Sequence, residues 1–239
     1  MKTILHKAAT RGHAGFGWLN SYHSFSFGQY YNPERVHFGA LRVLNDDSVA
    51  KGMGFPKHPH DNMEIVSIPL SGDLHHQDST GRDEIIREHD VQIMSAGSGI
   101  AHSEMNANKD KEVKFLQVWV FPKERNIEPR YEQKTFNPAD RINQVLTVVS
   151  PDDDKAVWIN QDAWFSLANL SKDHSTNYTI RKSGNGVYAF VIKGNVTIND
   201  QPLEQRDALG LWETDTIDIK AGSDAEILLI DVPMNIAGE

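Results

Sequence analysis

Short strand signals recur about every eight to twelve residues along this 239-residue chain, closed by Gly, Asp or Asn turns and uninterrupted by any long amphipathic helix. Residues 64–69, 72–77, 84–87, 91–94, 102–105 and 113–121 are the clearest of them. A chain of that rhythm can bury its strand faces only in a sandwich or a barrel, so the fold class is all-β. Upstream, Tyr22, Ser24 and Ser26 alternate with His23, Phe25 and Phe27, which predicts a strand with an aromatic face. Residues 122–140 are rich in proline and charge and have little periodicity, so they read as a connection between two domains. The boundaries expected are an N-terminal domain over 1–125, a linker over 126–140 and a C-terminal domain over 141–239. A weak internal repeat supports two related halves. The strand–glycine–strand order around Gly72 returns around Gly194, and the run from Asp90 to Met94 is paralleled from Asp207 to Leu211.

Chemistry is concentrated in the first half. His58 and His60 are two apart, and so are His102 and Glu104. Residues i and i+2 of a strand point to one face, so two neighbouring strands can aim three imidazoles and a carboxylate into one space. Such a donor set suits Fe(II), Mn(II), Ni(II), Cu(II) or Zn(II). Pro59 lies between the two histidines and cannot donate a ladder hydrogen bond, which predicts a strand end, an edge or a bulge there. Glu64 has the parity of His58 and His60 and reads either as a further group facing the metal or as a carboxylate behind the ligands. Of the adjacent pair His75 and His76, at most one can point inward. His13, His23 and His37 repeat no such spacing and read as surface or half-buried residues. The second half offers no ligand pair, and its one histidine is His174, so a single metal is expected, in the first half.

Composition excludes several alternatives. A net charge of −9 argues against nucleic acid or an anionic membrane as partner. The absence of cysteine removes disulfides, thiolate ligands and cysteine nucleophiles together, and suits a reducing interior. The first residues form no signal-peptide core and no apolar run is long enough to span a bilayer, so a cytoplasmic protein is expected.

Gly52, His58, His60 and Glu64 fit the first motif of the cupins, with Gly72 one residue late. Gly99, His102 and Asn106 represent the second, with Gly97 where a proline is usual. More specifically, the segments Arg11-Gly12-His13, Gly17-Trp18-Leu19, residues 22–27, His58-Pro59-His60, residues 76–79, residues 94–99 and His102-Ser103-Glu104 resemble the pirin family, closest to its bacterial quercetinase-like members. The resemblance implies a bicupin of two face-to-face β-barrels (jelly rolls). It also implies one metal, held by His58, His60, His102 and Glu104, with Glu64 behind them. The expected metal is Fe(II), with Mn, Ni, Cu, Zn and Co as alternatives. The activity implied is dioxygenase cleavage of flavonols such as quercetin with O2 and release of CO. Glu104 or Glu64 would take the substrate's hydroxyl proton, and Phe25, Phe27, Phe38 and Phe55 are candidates for an apolar wall. The competing class is a non-catalytic protein whose metal redox state alters binding to a protein partner.

Overall fold

Polar and apolar residues alternate along much of the chain, and the resulting strands make up almost all of the regular structure in the computed structural model, which describes residues 1–236. Ile100–Asn106 buries every second residue fully, and Thr216–Ala221 alternates exposed with buried. Two short 3-10 turns, Ala8–Thr10 and Pro138–Arg141, are the only helical segments among the described residues.

The strands form two barrels of like design, each with a seven-stranded and a four-stranded sheet. In the first barrel the large sheet runs Arg130–Thr135, Asp90–Ser95, Glu64–Ser71, Val113–Val120, Leu41–Val49, Leu19–His23, Gly12–Gly15. Its small sheet runs Gly54–His60, Ile100–Asn106, Leu74–Asp78, Asp83–Ile86. The second large sheet runs Lys2–His6, Ala208–Trp212, Asn185–Lys193, Ala225–Pro233, Trp164–Leu170, Leu146–Ser150, Val157–Trp158. The repeat read around Gly72 and Gly194 corresponds to one strand position in each sheet, and the two glycines have φ of 77° and 76°.

The edge strands are exchanged. Lys2–His6, at the start of the chain, pairs with Ala208–Trp212 in the second barrel. Arg130–Thr135, which leads into the second barrel, pairs with Asp90–Ser95 in the first. The stretch 126–140 expected as a linker therefore contains a barrel strand. Its charged, proline-flanked sequence follows from position: an edge strand needs little apolar surface, and all but one of its residues are only half-buried.

The outward faces of the two large sheets meet in one apolar layer, with Leu44, Val66, Ile68 and Val118 from the first and Phe165, Tyr188, Phe190 and Leu228 from the second. Inside the barrels the halves differ. The second is filled by one apolar cluster that includes Val187, Leu209, Ile217 and Leu229. The first holds two smaller clusters, one around Leu74 and Phe115 and another around Ile65 and Met94, and polar side chains occupy the space between.

Two local expectations change. The strand read through residues 22–27 stops at His23, and Tyr22 faces outward while Ser21 and His23 face inward. Phe25 and Phe38 enter the layer between the barrels, not the site. Gly97 replaces the usual cupin proline because its φ is +50°, a conformation closed to proline, and any Cβ there would collide with the Ile127 carbonyl.

Candidate metal centre

Gly54–His60 is the edge strand of the small sheet, as Pro59 requires, and pairs with Ile100–Asn106 across a bulge between His102 and Glu104. That pairing sets His102 opposite His58. The rings of His58, His60 and His102 meet with centroids 4.5, 4.8 and 4.9 Å apart, and one nitrogen from each lies within 4.8 Å of the others. Glu104 joins His102 in a second group of the same tightness, whose third member is His76.

The surroundings aim these groups. His58 Nδ1–H donates to the Pro56 carbonyl at 2.7 Å, which leaves Nε2 as the free lone pair. His76 Nε2–H donates to Asp78 at 3.0 Å, and His102 Nδ1–H points to His76 Nδ1 at 3.5 Å. This carboxylate–imidazole–imidazole line leaves His102 Nε2 buried and without a partner, facing the other two rings. Burial is the main force holding His60 and His102 neutral; nearby His102 and His58 add to it at His60, as His58 and His76 do at His102, lowering the pKa values to about 4 and about 3. Glu104 is fixed from both sides. Ser67 Oγ donates to it at 3.0 Å and Gln117 Nε2 at 2.5 Å, while Trp119 Nε1–H donates to Gln117 at 3.2 Å.

The imidazoles of His58, His60 and His102, which converge without hydrogen bonds to one another and with one nitrogen of His102 fully buried, together with an oriented carboxylate, fit a divalent transition metal. Both donor groups of this kind among the described residues lie in the first barrel.

Glu64 does not reach this cluster. Asn62, in the turn between the two strands, has φ 46° and resets the alternation, so Glu64 shares a face with Val66 and Ile68 rather than with Ser67. It accepts hydrogen bonds from Ser95 Oγ at 2.8 Å and from the Asn160 backbone N–H of the second barrel at 3.1 Å. Burial raises its pKa to about 7 against those two bonds. Glu64, expected beside the metal as a candidate base, is in the structure a buried tie between the barrels and belongs to neither donor group. Of the paired histidines, His76 points in and His75 points out.

A cavity of ≈ 860 Å³ opens onto His58, His60 and Glu104, with Phe16, Phe27, Phe55 and Trp119 among its walls. Trp119 stands edge-on to His60 at 4.9 Å. Ser67, Gln117, His23, Asn45 and Asp47 are not read into this site from the sequence; Ser67 and Gln117 carry a signal, as polar residues at inward parity in otherwise apolar strands, whereas His23, Asn45 and Asp47 lie in strands already rich in polar residues.

This architecture and donor set match known proteins. The family model described as Pirin matches residues 5–120, and that of a quercetinase C-terminal cupin domain matches residues 147–232. A quercetin 2,3-dioxygenase of Escherichia coli (strain K12) is 44% identical over 230 residues, 96% of this chain and 98% of that protein. The chain belongs to the pirin family. A pirin-like protein of Caulobacter vibrioides is 39% identical over 92% of this chain and 95% of its own length. The bacterial pirin YhhW of Escherichia coli, crystallised in complex with nickel(II), superposes with a TM-score of 0.92 at 42% identity, covering 97% of this pirin and 99% of YhhW. The fold is that of a bicupin, and the cluster in its first barrel is a divalent-metal site.

Proposed function

We propose that this pirin is a metal-dependent dioxygenase that opens flavonols such as quercetin with O2 and releases CO, using one divalent metal held by His58, His60, His102 and Glu104. The observation that carries the reading is the coincidence of the His58–His60–His102 cluster, with Glu104 grouped beside His102, with one large, aromatic-walled cavity. The substrate class comes from the relatives that bear the quercetin dioxygenase name at 44% identity. Fe(II) is the metal we expect. The donor set takes Mn, Ni, Cu, Zn and Co as well, and a nickel-bound relative illustrates that breadth. A metal there supplies Lewis acidity, which makes an adjoining hydroxyl easier to ionise. Glu104 would take that hydroxyl proton, a role supported by the hydrogen bonds from Ser67 and Gln117 that orient its carboxylate. Phe27, Phe55 and Trp119 present flat apolar surface to an aromatic substrate and keep water from it.

We assign the metal chemistry to residues 1–125 and a supporting role to the barrel from residue 141 onward, the strands at each barrel's edge being exchanged. Cysteine-free composition favours a cytoplasmic setting. The test is loss of quercetin absorbance under air by metal-loaded protein, with CO measured in the headspace. Turnover no faster than with free metal ion overturns the enzyme reading and leaves a redox-responsive binding protein as the account of the site.

A further inference from the structure

One register of the first barrel's large sheet carries a row of inward polar side chains across four strands. Ser67, Gln117, Asn45 and His23 are successive Cα partners. Ser67 and Gln117 are accounted for by Glu104. The row then continues one and two strands further, so His23 lies roughly 10 Å along the wall from Gln117. In the neighbouring register Ser21 and Asp47 are also partners, and all four of these outer residues line the cavity.

Their hydrogen bonds do not close. Ser21 Oγ gives its hydrogen to Asp47, so at 2.8 Å it accepts from His23 Nε2–H, and the unprotonated nitrogen of His23 is Nδ1. His23 Nδ1 and Asn45 Oδ1 are buried and have no partner, and the two residues are only 4% and 2% exposed. Buried polar atoms are nearly always paired, because an unmet one is destabilising. In the second barrel the corresponding pair, Ser166 and Thr147, is also polar but closes on itself through a Thr147 Oγ1–Ser166 Oγ hydrogen bond. Both unmet atoms are acceptors, and both belong to side chains of the same cavity.

We propose that Asn45 and His23, held by the Ser21–Asp47 pair, form a second subsite that accepts hydrogen bonds from a phenolic hydroxyl on the part of the substrate remote from the metal ligands. The proposal rests on the dioxygenase reading above and deepens it. These residues make the site selective for polyhydroxylated flavonols over those whose only hydroxyl is the one next to the carbonyl.

The experiment is calorimetric titration of metal-loaded protein, without O2, with quercetin and with 3-hydroxyflavone, which lacks every ring hydroxyl but the one beside the carbonyl. The wild type should bind quercetin about tenfold or more tightly than 3-hydroxyflavone, the loss expected when buried acceptors stay unmet. Asn45→Ala and His23→Phe should each shrink that ratio by about tenfold, with metal content measured alongside. Equal affinities in the wild type overturn the subsite while the dioxygenase reading stands. So do variants that keep the ratio, or that weaken both ligands alike. Failure of both flavonols to bind the wild type overturns both readings.

Discussion

Glu104 has its two oxygens engaged by different donors, Ser67 on one and Gln117 on the other, and the proposed function asks it to serve a metal and a substrate proton as well. A carboxylate has about four lone-pair sites, so the four demands can be met together only while it is ionised. Glu104→Gln keeps the shape but replaces one acceptor by a donor. Its kcat should fall by about 10²–10⁴-fold, the range for loss of a positioned base, with metal content measured on the same samples to separate binding from proton transfer. Glu64 supplies the contrast. Its pKa is raised to about 7 in the folded chain from an ordinary 4.5, so its favourable contribution is fully present below pH 4.5 and is lost as pH rises through 7. Glu64→Gln should therefore melt above the wild type at pH 8, and the gap should close as pH falls toward 4.5. Its flavonol turnover should match the wild type, since the side chain faces Asn160 and not the cavity. The i, i+2 rule anticipated that His58, His60 and His102 would converge, because it depends only on strand geometry. Glu64 has the same parity in the sequence but not in the structure, because one residue with positive φ, Asn62, resets the alternation, and nothing in its identity demands that conformation.

At the scale of elements, strands were easier to read than their neighbours. Val113–Val120 and Asn185–Lys193 announce themselves by apolar content because both faces are covered. Arg130–Thr135 reads as loop because it lies at a sheet edge, and its partner, Asp90–Ser95, is far away in sequence. The Lys2–His6 strand depends on a close fit at its own partner. A Cβ on Gly210 would lie 2.5 Å from the Phe38 ring and 2.8 Å from Ile4. Gly210→Val should thus displace this strand and destabilise the protein by about 1–3 kcal/mol in urea unfolding, the usual range for overpacking. Metal content should change less than stability, because the donor cluster belongs to the other barrel. The His76–Asp78 support behind His102 was half legible: alternation says that one of His75 and His76 faces inward, but only the pairing with Ile100–Asn106 says which.

At the scale of the molecule, two halves were visible in the sequence through their glycine-punctuated repeat, whereas their interdependence was not. The repeat compares each half with the other and cannot reveal that the strand leading into each one crosses over. Together with the shared apolar layer, the crossing should make thermal unfolding a single transition seen alike by near- and far-ultraviolet circular dichroism. It also has a consequence for how the chain can be made. The covalent link near residues 123–126 is exposed, and each side of it donates a strand to the other. Cohesion therefore does not depend on chain continuity there. A fragment ending at residue 125 should not hold metal by itself, nor should the remainder fold alone. Produced together, the two should find each other and rebuild the metal-binding molecule, so that this protein behaves as a naturally complementing pair of pieces that happen to be translated as one.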